Sequence, residues 1–234
     1  KLLSYGVSSR FPISPKVQIT YLAALLLGLL VPFGILFLLK ILDTKINTRD
    51  DLENGLKGIT ILGEMPFAEN PKDADDTERG LIAESTRVLR AGLSFQLKTD
   101  ATNVICVTST IKGEGKSFVS YNLAQSYTAL GKKVIILGAD LRNPQLHKFL
   151  NQKRENIGLT TYLSNENFND IDSLITKATK SRGLDYLLTG AIPPNPSELL
   201  MRSRTKELLD ILKQSYDLIL IDSAPLLLVS DTTA

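Results

Sequence analysis

Residues 104–127, VICVTSTIKGEGKSFVSYNLAQSY, decide the fold. The apolar, β-branched stretch 103–108 predicts a strand, Gly113-Glu114-Gly115-Lys116-Ser117 closes a glycine loop, and Val119, Leu123 and Leu130 supply the apolar side of a helix over 116–130. Strand, glycine loop and helix in that order make a cradle for phosphate. Glycines let the backbone curl until its N–H groups face an anion, and the helix N-terminus adds partial positive charge. Lys116 is spaced to reach the β- and γ-phosphates of a nucleotide, and Ser117 to ligate Mg²⁺. The full pattern G-x-x-x-x-G-K-[ST] would place glycine at 110, where Thr110 stands, so the loop is a variant; a chance Gly-Lys-Ser at a helix start is the alternative. Five residues before Lys116 stands Ile111 rather than a second lysine.

Two acidic strand ends turn the loop into a constellation. KKVIILGADLRNP puts Asp140 just past one strand, and SYDLILIDSAP does the same for Asp222. In a parallel α/β sheet, ligands sit beyond the carboxyl ends of the strands, so both carboxylates can face one nucleotide. Mg²⁺ prefers hard oxygen ligands and keeps much of its water, which suits Ser117, Asp140 and Asp222 as the metal set. Lys116, Asp140 and Asp222 are the catalytic candidates. Thr110, Gly113, Glu114, Gly115, Lys116, Ser117, Phe118 and Arg142 form the expected nucleotide-binding set, although Arg142 reads equally well as a salt-bridged loop residue.

Around this centre the pattern is α/β. It predicts a helix near 78–97, strands at 103–108, 133–138, 185–188 and 217–222, two or three helices after the second strand, and a helix at 197–214. VIIL and LILI are continuous apolar runs, as strands buried on both faces of a parallel sheet require. The expected fold is a P-loop NTPase-like, mostly parallel sheet with flanking helices. A net charge of +2, from 27 Lys+Arg against 25 Asp+Glu, provides no bulk attraction for nucleic acid. One cysteine, Cys106, excludes an intramolecular disulfide, and its strand position reads as a small buried hydrophobe; the one histidine, His147, reads as a packing or surface residue.

The mean hydropathy of +0.04 is high for a soluble domain, and the cause is local. Between Lys16 and Lys40 lie 23 uncharged residues, 17–39, enough to span about 35 Å as a helix. Gly28, Pro32 and Gly34 are tolerated in membrane helices, and Tyr21, Lys16 and Lys40 suit the interfaces. A signal peptide competes with this reading, but the run exceeds an ordinary signal core and charged sequence follows it. Flanking charge favours a cytoplasmic C-terminal side by one residue: Lys1, Arg10 and Lys16 before, Lys40, Lys45, Arg49 and Lys57 after. The opening KLLSYGVSSRFPISPK has no initiator methionine and reads as the tail of something larger, the end of an extracytoplasmic segment over 1–16. Residues 40–76 read as a cytoplasmic connector in which Asp50, Asp51 and Glu53 suit the first turn of a short helix, and ITILGEMP predicts a brief strand ending at Pro66. The α/β domain then occupies 77–234.

The combination of FPISPK before the membrane helix, DTKINTRDDLE and ILGEMP in the connector, the glycine loop, VIILGADLRNP, AIPPNPSELL and YDLILIDSAPLLLVSD resembles the bacterial tyrosine kinases of capsule and exopolysaccharide synthesis. The resemblance covers nearly the whole chain. It implies a second membrane helix of a chain-length-determinant module followed by most of a cytoplasmic kinase domain at the inner membrane. It also implies ATP and Mg²⁺ as cofactors, autophosphorylation of tyrosines in a C-terminal tail, self-association in a ring, and control of polysaccharide polymerisation and export machinery. By that resemblance Lys116 and Ser117 match the Walker A residues, Asp140 the second Walker A′ aspartate and Asp222 Walker B. Glu84, Arg87 and Arg90 match an E-x-x-R-x-x-R helix of subunit contacts, with intrahelical ion pairing as the alternative. Pro193-Pro194-Asn195-Pro196-Ser197-Glu198 resembles the family's loop before a helix. One departure stands out: Gly138 occupies the place of the first Walker A′ aspartate. Two other readings remain, a membrane-tethered ATPase of the partition and septum-positioning class, which the missing lysine at Ile111 disfavours, and a polysaccharide co-polymerase with a weak or inactive nucleotide domain, which Gly138 favours.

Overall fold

The computed structural model describes residues 16–42, 49–55, 58–67, 76–99, 101–150, 152–178 and 182–226. The chain forms two compact units, Lys1–Ile61 and Leu62–Ala234. In the first, α1 runs Val17–Leu42 with Pro32 inside it, and none of its residues is buried. A helix that exposes Leu29, Leu30, Phe33 and Leu36 on every side has no stable place in water, and α1 is long and apolar enough to cross a bilayer. The short helix α2 spans Arg49–Gly55. Asp50 and Asp51 lie in its first turn, where the helix dipole favours acid, and Arg49 Nε donates to Glu53 at 2.9 Å.

The second unit is built on a five-stranded sheet. Its strands are β1 (Asn103–Val107), β2 (Val134–Gly138), β3 (Thr176–Lys177), β4 (Leu184–Leu187) and β5 (Leu218–Asp222), in spatial order β1-β5-β2-β4-β3. All neighbours are parallel except β3, which pairs antiparallel with β4 at the edge. Successive residues of β2 and β5 feed opposite faces, as the two-residue strand period requires. Val134, Ile136, Leu218 and Leu220 pack under α4 (Lys116–Thr128), with Leu89 and Leu93 of α3 (Asp76–Ser94) and Leu146 of α5 (Leu146–Phe149) joining them. Ile135, Leu137 and Ile219 pack under α6 (Leu159–Ser164), α7 (Pro196–Leu200) and α8 (Ser203–Leu212). This is a helix layer on each face of a mostly parallel sheet.

Several expectations are corrected. The predicted helix 197–214 is two helices, parted at Met201 and Arg202, with Arg202 extended at φ −66° and ψ 151°. The break turns Arg204 inward: Nε donates to the Tyr162 carbonyl (3.1 Å), Nη1 to Glu166 (3.0 Å) and Nη2 to Phe168 (2.5 Å), with the guanidinium 4.2 Å over the Tyr162 ring. The predicted strand ITILGEMP (59–66) is not formed, because it has no ladder partner among the described residues; Leu62–Pro66 lies along α3 instead. A Cβ on Gly92 would sit 3.0 Å from the Leu62 carbonyl oxygen and one on Gly63 3.5 Å from the Leu89 backbone, so glycine permits this close approach. Leu130 falls past the end of α4 and is exposed. Cys106 is exposed too, since the edge strand β1 turns Val104 and Cys106 to an uncovered face while Ile105 packs with the α4 cluster. The two-residue strand β3 had no signal in the sequence pattern.

Candidate phosphate and metal site

The site is assembled at the carboxyl ends of β1, β5 and β2, adjacent in the sheet. Leaving β1, the chain turns through Gly113 (φ +95°) and Gly115 (φ +88°), both in the left-handed region that side chains disfavour. Gly115 is the N-cap of α4 and offers no side-chain cap, so the first amides of α4 are left for an anion. The Glu114 carboxylate folds back to accept from the Thr110 (2.6 Å) and Ile111 (3.2 Å) amides, which holds the loop curled. That bond gives Glu114 a loop-shaping place.

Four side chains predicted to act together do converge. Lys116 Nζ donates to Asp140 Oδ2 at 2.8 Å, with 9% and 3% of the two side chains exposed. Ser117 Oγ donates to Asp222 Oδ2 at 2.6 Å. The other Asp140 oxygen accepts from the backbone amides of Asn143 (2.9 Å) and Arg142 (3.3 Å). Parallel pairing fixes these distances: Val107 stands opposite Asp222, and Asp222 opposite Gly138, so the three strand ends arrive level. Burial pushes the Asp222 carboxyl up to about 6, against the lowering influence of the Ser117 hydroxyl and the Lys116 ammonium, while the Asp140 charge adds to the rise. Asp222 Oδ1 is buried without a hydrogen-bond partner among the described residues.

A buried carboxylate oxygen without a donor, beside a second carboxylate and a serine hydroxyl, fits a hard cation. Among the described residues no three His, Cys, Asp or Glu side chains form a metal cage. Mg²⁺ does not need one, because it takes one or two carboxylates and completes its shell with phosphate and water.

The remaining candidates are placed as follows. Thr110 is exposed and, with Ser109, Glu114 and Lys116, lines a cleft of about 370 Å³ beside β1. The Phe118 ring packs 6.2 Å from Phe149, so its side chain belongs to the α4–α5 contact, and only its backbone is left for a nucleotide. Exposed Arg142 donates from Nη2 to Ser197 Oγ (3.3 Å), drawing the PPNPSE segment beside the Asp140 turn. Glu84 and Arg87 pair with each other at 2.8 Å on an exposed face, whereas Arg90 turns inward to the carbonyl and hydroxyl of Ser126 on α4. The half-buried His147 is held below the ordinary imidazole range by burial, Lys148 and Arg154. Sequence reasoning passed over Thr189 and Arg204, which no motif spacing marks.

Residues 102–234 match the AAA domain family model. A putative tyrosine-protein kinase in the cps region of Klebsiella pneumoniae is 33% identical over 99% of this chain, and the tyrosine-protein kinase etk of Escherichia coli 28% identical over 99%. The chain spans about a third of the length of these curated relatives, 34% in each case. Among solved structures, the kinase domain of the Escherichia coli tyrosine kinase ETK superposes with a TM-score of 0.69 at 31% identity, covering 79% of this chain and 75% of that one. The BceF tyrosine kinase domain gives 0.67 at 31%, covering 80% of each. On its glycine loop, its level strand-end carboxylates and these likenesses, the chain belongs to the bacterial tyrosine kinase family, within the AAA domain family.

Proposed function

We propose that this chain is the membrane-anchored catalytic part of a protein-tyrosine kinase that binds Mg-ATP and passes the γ-phosphoryl to tyrosine. One observation carries the reading: the Lys116 ammonium and the Asp140 and Asp222 carboxylates meet at the mouth of the glycine loop, from three adjacent strand ends. The α4 N-terminal amides and Lys116 bind the phosphates, for which Lys116 exchanges Asp140 for a phosphate oxygen. Ser117, Asp140 and Asp222 would hold Mg²⁺, which would supply charge neutralisation for the transferring group. The tyrosine oxygen bonds to the γ-phosphorus as the bond from that phosphorus to the β–γ bridging oxygen breaks; ADP leaves with the bridging oxygen and the phenol proton passes to solvent. Most of the catalysis is then positioning and fixed charge.

The same reading assigns 1–16 to the end of an extracytoplasmic segment, 17–39 to the membrane, 40–76 to a cytoplasmic connector and 77–234 to the catalytic domain at the bacterial inner membrane. Its partners are further copies in a ring, through the α3 face that exposes Glu84 and Arg87 while Arg90 ties that helix to Ser126, and the polysaccharide polymerisation and export machinery, with no nucleic acid. Incubation of the full chain with labelled ATP and Mg²⁺ tests it. Phosphotyrosine that disappears in Lys116→Met is the expected result; phosphate release without phosphotyrosine would move the chain to the ATPase class.

A further inference from the structure

The Gly138–Ala139 peptide group, one residue ahead of Asp140, is gripped from both sides. Its carbonyl, on Gly138, accepts from Thr189 Oγ1 at 2.7 Å, and its N–H, on Ala139, donates to the Asp222 carbonyl at 2.9 Å. Thr189, just past β4, is 3% exposed and is itself fixed. The Thr160 amide donates to its carbonyl (2.9 Å) and the Leu159 amide to that of Leu188 (2.8 Å), so the first turn of α6 is bolted to this strand end. Gly158 makes that junction possible, since a Cβ there would stand 2.3 Å from the Leu188 carbonyl oxygen. Thr189 also fills the space beside Gly138: a Cβ on residue 138 would lie 3.0 Å from its Oγ1 and 3.1 Å from its amide nitrogen.

We infer that Thr189 is a positioning residue for Asp140, and that Gly138 and Thr189 are a matched pair in which the threonine occupies the room a side chain at 138 would need. The hydroxyl fixes the Gly138–Ala139 peptide plane, one peptide short of Asp140, and with it the course on which the chain carries that carboxylate out of the sheet. Misplacing a reacting group by a fraction of an ångström costs rate rather than affinity, because ground-state binding tolerates slack that the transition state does not. The packing half of this inference stands on geometry alone; the rate half rests on the kinase reading.

Two measurements on the full chain in detergent test it. In thermal unfolding, Gly138→Asp lowers the midpoint, and adding Thr189→Ala recovers at least half of that loss; losses that simply add would overturn the pair. In phosphotyrosine formation, Thr189→Val lowers kcat about tenfold with KM for ATP within about twofold, and Thr189→Ser restores most of the rate. A Thr189→Val enzyme with the original kcat, or a loss that appears mainly in KM, or a serine variant as slow as the valine one, would overturn the positioning role. Thr189→Ala carries the same reading if the valine variant does not fold. Absence of phosphotyrosine from the unaltered chain would sink the kinase reading and leave the unfolding cycle to decide the pair.

Discussion

Among the described residues of the second unit, the buried Arg204 and the largely enclosed Lys116 are satisfied in opposite ways. Arg204, between α6 and α8, is surrounded by the carbonyls of Tyr162, Glu166 and Phe168 and by the Tyr162 ring, with no carboxylate among its partners in the described residues. Lys116 has one strong partner, the Asp140 carboxylate, at the open end of the sheet. Fixed dipoles on several sides make a cation permanent, because nothing that diffuses in can replace them all at once. A single carboxylate makes it exchangeable, because an arriving phosphate offers the same charge and better geometry. Under the proposed function, the structural cation and the phosphate-binding one are thus told apart by what surrounds them rather than by how deeply they lie.

The contrast can be broken by exchange of roles. Arg204→Ala leaves three carbonyls without donors, and at about 1–3 kcal/mol each the fold loses about 4 kcal/mol in denaturant melts, while the nucleotide affinity of the folded fraction stays within about twofold. Lys116→Met does the reverse: Mg-nucleotide binding by titration calorimetry weakens by about a hundredfold, or about 2.7 kcal/mol, and stability changes less, because Asp140 keeps two backbone donors. If Arg204 controlled affinity or Lys116 stability, the distinction would collapse.

Asp222 sharpens it from the anionic side. Its folded carboxyl, at about 6, lies above the ordinary carboxylate value, so the folded state holds more protons than the unfolded one across roughly pH 4 to 6. Stability of the metal-free chain therefore rises as pH falls from 7 toward 5. Asp222→Asn raises stability at pH 7 by about 2 kcal/mol while Mg-nucleotide affinity drops; a variant less stable than its parent at pH 7 would contradict the sign. Gly115→Ala, forced into φ +88°, costs about 1 kcal/mol and loosens phosphate binding. The smallest effect belongs to Glu84→Gln, whose exposed partner Arg87 contributes less than about 0.5 kcal/mol to the subunit's own stability. Any larger change in sedimentation of the full chain would then report self-association alone.

The convergence of the candidate site was legible because its parts are local: a glycine loop, a lysine and a serine at a helix start, and two acids ending apolar strands are all written within short windows. The helix break at Met201 was not, because it follows from where Arg204 finds carbonyls on α6 and the segment after it, some forty residues earlier in the chain. Leu62–Pro66 carries strand-like residues, yet a strand needs a neighbour, and glycine at 92 provides a helix to lie on instead. Cys106 was misjudged because β1 is the sheet's edge, and order within a sheet is not a property of any one strand. Gly138 was visible as a departure, but only Thr189 across the strand end explains what fills its place.

The strand order has a consequence for synthesis. Among the described strands β5 comes after the other four in the chain and yet sits between β1 and β2, pairing Asn103 with Leu218 and Val134 with the same residue. A chain emerging from the ribosome therefore carries the glycine loop and Asp140 long before the strand that joins their two halves of the sheet. Until Asp222 has emerged, β1 and β2 have no common neighbour, and closing so long a loop is the slow step in a topology of this kind. The two carboxylates of the site cannot stand level until β5 has paired with both neighbours.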